Sequence, residues 1–231
     1  MDLRRSVDLY CERTDPGLWS EPLNAASNAA FLVAAALILR HARAPEGGAP
    51  FDARLLAALV ALVGAGSFLF HTFATVWAAW LDVLFILGFI YAFLARFLAR
   101  VAGWGRVATV GGLAAYWLAA KGLTAPFPPG TLNGSTDYLP PLLALVVLAV
   151  WARGRGHAAA ARLAAAAGLF AVALGFRTVD LAWCPAWPLG THAFWHGLNA
   201  VVLWLATTGL CAADRPEDAA GQATLRTSGG C

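Results

Sequence analysis

His192 and His196 stand four residues apart in the segment THAFWH. On a helix that spacing puts both imidazoles on one face, the arrangement with which histidine pairs chelate zinc in metalloproteases. The same pair would also serve as hydrogen-bonded residues at a membrane interface. His71 closes the segment GAGSFLFH, with Ser67 one turn before it on the same face. Asp82 follows His71 by eleven residues, in WLDVLF. Three histidines and a water form a catalytic zinc set, with the fourth position open for chemistry. A carboxylate beside them has two readings. It is either a general base on the metal's water or a clamp on a histidine, or else a structural Asp bonded to a neighbouring helix. The remaining histidines, His41 and His157, fall in loops and are given no role.

The elements that must position these residues are membrane spans. The chain has 231 residues, 60% of them hydrophobic and 13% charged. A soluble domain carries about a quarter charged residues, so the composition is that of a membrane protein. A spanning helix needs about 20 mainly apolar residues. Seven candidates meet the pattern, at 24–40, 55–75, 77–99, 104–120, 138–151, 158–176 and 192–212. The expected fold class is therefore all-α, a seven-transmembrane helix bundle over 1–213, followed by a disordered cytoplasmic tail at 214–231. Pro140 and Pro141 stand at the start of the fifth span, where a first helical turn accepts proline. The first 23 residues have no apolar run, so no cleavable signal peptide is expected. The Ala-, Gly- and Arg-rich composition reads as a GC-rich bacterial genome, and no basic block suggests a nucleic-acid partner.

Basic residues set the orientation. Arg40, Arg43, Arg54, Arg96, Arg100, Arg106, Arg153, Arg155, Arg162, Arg215 and Arg226 all fall on one side of the seven spans. Arg4, Arg5, Arg13 and Lys121 fall on the other, among the acids of the N-terminal segment. The N-terminus is thus expected outside and the C-terminus in the cytoplasm. His71 at the end of span two, Asp82 early in span three and the histidine pair at the start of span seven then share one depth, near the outer face. Ionisable groups at membrane depth are costly and point to function. The third histidine at that depth favours a metal over an interfacial pair.

Three further features lie on the same side. Asp8, Glu12, Asp15 and Glu21 supply carboxylates in a turn-rich segment, with Asn24 and Asn28 just beyond. Such oxygen donors suit calcium, although an ordinary acidic loop has the same composition. Cys11 and Cys184 could form a disulfide in an oxidising compartment. Arg177 and Asp180, three residues apart, are read as a structural ion pair.

Taken together, YCER, EPLNAASN, GAGSFLFH, the Asp of WLDVLF, DLAWC and HAFWH resemble, in order, the alkaline ceramidase family. That family lies within the superfamily of seven-span hydrolases that includes the progestin and adiponectin receptors. The resemblance runs from about residue 8 to 199. It implies zinc held by His71, His192 and His196, with Ser67 and Asp82 around the water. It also implies a calcium site, here matching Glu12 and Glu21. The family's first calcium Asp falls on Leu9, with Asp8 one residue away. Tyr10 replaces a Trp, and Thr14 stands where an Asn is usual. The family's Asp-x3-Phe-Cys pattern is met by Asp180 and Cys184, which supports the Cys11–Cys184 bridge.

The expected function is zinc-dependent hydrolysis of the amide bond of ceramide or a ceramide-like N-acyl lipid. The expected partner is a membrane lipid substrate. The expected location is a bacterial inner membrane, with the active site near the periplasmic face. The alternatives are hydrolysis of a different acyl lipid, or a receptor-like or structural protein in which zinc only stiffens the bundle.

Overall fold

The computed structural model describes residues 2–43 and 48–212. The tail expected over 214–231 lies outside them, with Arg215, Arg226 and Cys231. All regular structure among the described residues is helical, apart from one isolated bridge between Ser6 and Thr75. The helices are α1 (Pro22–Ser27), α2 (Ala29–Ala42), α3 (Phe51–Phe73), α4 (Val76–Arg96), α5 (Arg106–Thr124), α6 (Leu139–Gly154), α7 (Ala160–Trp183) and α8 (His192–Ala212). A π-turn, Phe97–Val101, extends α4, and a short 3-10 turn, Ser135–Tyr138, leads into α6.

Local chemistry explains several boundaries. Pro22 opens α1, where its missing N–H has no partner to lose. The Glu12 carboxylate caps that helix from outside, accepting the N–H groups of Leu23 and Asn24 at 2.6 and 2.8 Å. Such a carboxylate also complements the positive end of the helix dipole. Pro140 and Pro141 occupy the first turn of α6, as expected. α3 ends at Ala74, whose left-handed backbone (φ 41°) lets its N–H reach back to the Phe70 carbonyl. The chain then reverses directly into α4, so the long apolar stretch becomes two antiparallel helices.

Six helical segments are long and apolar enough to cross a membrane: Pro22–Ala42, Phe51–Phe73, Val76–Val101, Ser135–Gly154, Ala160–Trp183 and His192–Ala212. α5, the counterpart of the expected fourth span, is not among them. Its 19 residues include Arg106, Lys121, two threonines and three glycines, which lower its apolarity. Packing nevertheless includes it. Each helix from α2 to α8 packs on the next in sequence, and α8 returns to pack on α2, which closes a ring. α3 also touches α8. Small and aliphatic residues such as Ala53, Leu56, Val60, Leu163, Ala166 and Leu210 fill the interior at essentially zero exposure. Large apolar side chains also point outward, for example Leu84, Val107, Leu118 and Val150. An apolar exterior of this kind needs lipid rather than water around it.

The two ends of the bundle differ. At one end, Arg96 reaches the buried Asp52 with 2.5 Å between Nη2 and Oδ1, tying α4 to α3. At the other end the N-terminal segment crosses the α3–α4 turn. There the Val7 N–H donates to the Ala74 carbonyl, and the Val76 and Trp77 N–H groups donate to Arg5 and Leu3. A Cys11–Cys184 disulfide fastens this segment to the end of α7.

Candidate metal centre

The last turn of α3 and the first turns of α8 bring His71, His192 and His196 together. Their ring centroids are 5.2, 4.7 and 4.6 Å apart, pair by pair. Each offers one nitrogen, and these three atoms lie within 4.8 Å of one another. All three residues are at most 2% exposed.

The hydrogen bonds around the rings determine which nitrogens are free. Glu21 lies 2.5 Å from His71 Nδ1. A carboxylate accepts, so Nδ1 carries the proton and Nε2 keeps its lone pair. Ser27 Oγ lies 2.7 Å from His196 Nδ1, while its own proton goes to the Asn24 carbonyl at 2.7 Å. Ser27 therefore accepts from Nδ1, and again Nε2 keeps its lone pair. His192 Nδ1 is buried without a hydrogen-bond partner. Tyr10 stacks on the His192 ring at 3.7 Å between centroids and fixes its plane. Two imidazoles oriented through Nδ1 and a third with an unpartnered nitrogen fit a divalent metal that prefers nitrogen ligands.

Glu21 is itself held on several sides. Arg13 Nε donates to one oxygen at 2.6 Å, and Asn24 Nδ2 to the other at 3.2 Å. Burial opposes the charge on Glu21, but the His71 and Arg13 contacts outweigh it and hold the carboxyl below its ordinary range.

The other expected residues gather at the same end. Ser67 Oγ is 3.3 Å from His196 Nε2. Asp82 faces the cavity beside the histidines, and its Oδ1 is buried with no hydrogen-bond partner. Gly66 makes this approach possible. A Cβ there would lie 3.2 Å from the Asp82 Cα and 2.7 Å from the Phe85 ring. The bare backbone thus lets α4 come close enough to carry Asp82 to the site.

One expectation is corrected. Arg177 and Asp180 do not pair with each other. Asp180 instead accepts three backbone N–H groups, from Cys11 at 2.9 Å, Thr191 at 2.6 Å and His192 at 2.9 Å. It caps α8 where His192 begins and anchors the N-terminal segment. Gly190, with φ +66°, makes the tight turn that aims these N–H groups. Of the carboxylates expected to hold calcium, Glu12 and Glu21 have protein partners. Asp8 is exposed, Glu12 caps α1 and Glu21 orients His71. The roles of Glu21, Ser27 and Asp180 toward the histidines are additions that the sequence reading missed. Polar residues in EPLNAASN were visible there, but not their partners.

From the histidines a cavity of about 100 Å³ runs into the bundle. It is several times the ~10–15 Å³ that a single water requires. α4 lines it from Asp82 to Leu94, and α8 from His192 to Ala206. At 1.5 Å per residue the first stretch is roughly 18 Å long. Below Ser67 and Asp82 its walls are mostly apolar, with Ile86, Phe89, Phe93 and Val202 among them.

Compared with known proteins, the chain matches no family model and no curated protein.

Proposed function

We propose that the protein is a multi-pass membrane hydrolase that uses zinc at His71, His192 and His196 to cleave an N-acyl lipid, with ceramide-like amides as the leading substrate class. One observation carries this reading: three histidine nitrogens converge beside an unpartnered Asp82 oxygen at the polar end of a long apolar cavity. The closed ring of α2 to α8 supports a seven-span arrangement in which α5 crosses with its neighbours. The arginine-rich ends of the helices support a cytoplasmic C-terminus, and hence a site near the outer, periplasmic face of a bacterial inner membrane.

Zinc bound there would supply Lewis acidity, lowering the pKa of a water toward about 7 and polarising an acyl carbonyl. The residues supply the rest. The apolar walls hold the acyl chain, so that the amide lies at the histidines and water is excluded below it. Asp82 accepts a proton from the attacking water as the new C–O bond forms. It returns that proton to the leaving nitrogen as the C–N bond breaks. Ser67 now faces His196 Nε2. With that lone pair on a metal, the Ser67 hydroxyl donates to the developing oxyanion instead. The products are a fatty acid and an amine, a sphingoid base where the substrate is ceramide.

Metal analysis of purified protein, followed by mass spectrometry of fatty acid released from an acylamide panel, tests the reading. One zinc per chain and turnover are expected in the wild type, with both lost in a His192→Ala His196→Ala variant. Stoichiometric zinc without turnover of any acylamide or ester would instead make the protein a receptor-like or structural zinc protein. Release at the wild-type rate from the double variant would overturn the site.

A further inference from the structure

Arg177 is a buried cation that forms no ion pair among the described residues. It lies in α7, is 9% exposed and lines the same cavity as the histidines. Among the described residues no carboxylate comes within ion-pair distance of it. A guanidinium has five N–H donors. Here the Tyr10 hydroxyl accepts one, from Nη1 at 2.8 Å, and Nε is buried without a partner. Three rings surround the group. Its carbon sits 5.5 Å from the Tyr10 centroid, 5.1 Å from Tyr138 and 5.4 Å from Trp195. Such rings hold a cation in place without neutralising it. The Tyr10 ring that Arg177 faces is also the ring stacked on His192. The charge is therefore one ring away from the metal ligands.

A guanidinium held this way, with donors to spare beside a reaction centre, is suited to bidentate capture of an oxyanion. We propose that Arg177, with the Tyr10 hydroxyl, binds a carboxylate on the leaving part of the substrate, so that the preferred lipids are N-acyl amino acids rather than neutral amides. This rests on the hydrolase reading above and narrows it. The reaction is unchanged in balance: water adds at the acyl carbon, the C–N bond breaks, and the products are a fatty acid and an amino acid. The rival role for Arg177 is electrostatic support of Asp82, which faces the same cavity. That role would act on every substrate alike.

The test compares N-palmitoylglycine with N-palmitoylethanolamine, which share the acyl chain and the amide and differ in the charge beyond it. The readout is the ratio of their kcat/KM values in wild type, Arg177→Gln and Arg177→Lys. The wild type is expected to favour the glycine conjugate by at least about tenfold. Arg177→Gln should erase that preference, mainly through KM, and Arg177→Lys should keep part of it. An equal loss on both substrates, or a wild type without preference, overturns the proposal and leaves the hydrolase reading standing. Binding of palmitate and hexadecanol, followed by tryptophan fluorescence, separates the two claims further. A protein that turns over neither amide, yet binds palmitate more tightly than hexadecanol only while Arg177 is present, fails as a hydrolase and keeps the anion site. If Arg177→Gln does not fold, as judged by lost zinc, the wild-type preference and Arg177→Lys decide the question.

Discussion

The Glu21 carboxylate decides which nitrogen of His71 is available. Its contact with Nδ1 places the proton there and leaves Nε2 with a lone pair. Arg13 and Asn24 hold Glu21 in turn, so the imidazole is oriented by a chain of buried polar contacts. Partners of this kind typically contribute tenfold to a hundredfold in metal affinity. Glu21→Gln keeps the shape but removes the charge and offers an amide that can point its N–H at the ring. Zinc affinity, read by competition with a fluorescent chelator, is expected to fall about tenfold to a hundredfold. An unchanged affinity would separate Glu21 from the metal centre. The sequence carried part of this scale. The spacing of His192 and His196 and the Ser67–His71 pair were legible, because a helix converts spacing into facing directly. The role of Glu21 was not, because its partner is 50 residues away and only folding selects it.

At the scale of elements, the site depends on how closely α3 and α4 approach. Gly66 sets that distance. Replacing it with Ala gains up to about 1 kcal/mol in helix propensity. The new methyl would meet the Asp82 Cα at 3.2 Å and the Leu81 carbonyl at 3.3 Å. Both are backbone of α4 and cannot rotate aside, so crowding of about 1–3 kcal/mol wins. Gly66→Ala is expected to lower the melting temperature in detergent and to displace Asp82, reducing turnover while zinc stays bound. A melting temperature at or above that of the wild type would show that the helices separate without cost. The start of α8 is set by another long-range contact. Asp180→Ala would leave the N–H groups of Cys11, Thr191 and His192 without their acceptor. A buried donor left unpaired costs about 1–3 kcal/mol. The expected result is a lower melting temperature together with weaker zinc binding, since the helix end that carries His192 loses its cap. Normal zinc binding in a destabilised variant would limit Asp180 to a structural role.

At the scale of the whole molecule, the ring of helices has one polar end with the histidines and one end rich in arginine. If the arginine-rich end is cytoplasmic, Arg155→Cys will react with a membrane-impermeant maleimide only after permeabilisation. Trp19→Cys, on the exposed N-terminal segment, will react in intact cells stripped of their outer membrane. A background lacking Cys211 and Cys231 keeps the signal specific. The reverse labelling pattern would invert the topology and put the site on the cytoplasmic side.

The sequence by itself determined the helical class, most span boundaries to within a few residues and the histidines as candidate ligands. Those follow from composition, hydrophobic run length and helical spacing, all of which are local quantities. Alternating helix direction then places His71, Asp82 and the histidine pair at one end without further information. Tertiary structure alone decided the partners: Glu21 on His71, Ser27 on His196, Asp180 on the start of α8, and Arg177 among three rings instead of beside Asp180. Buried polar groups take whatever donor or acceptor the packing brings within about 3 Å. In this bundle those partners come from segments up to 169 residues apart, which no local pattern encodes.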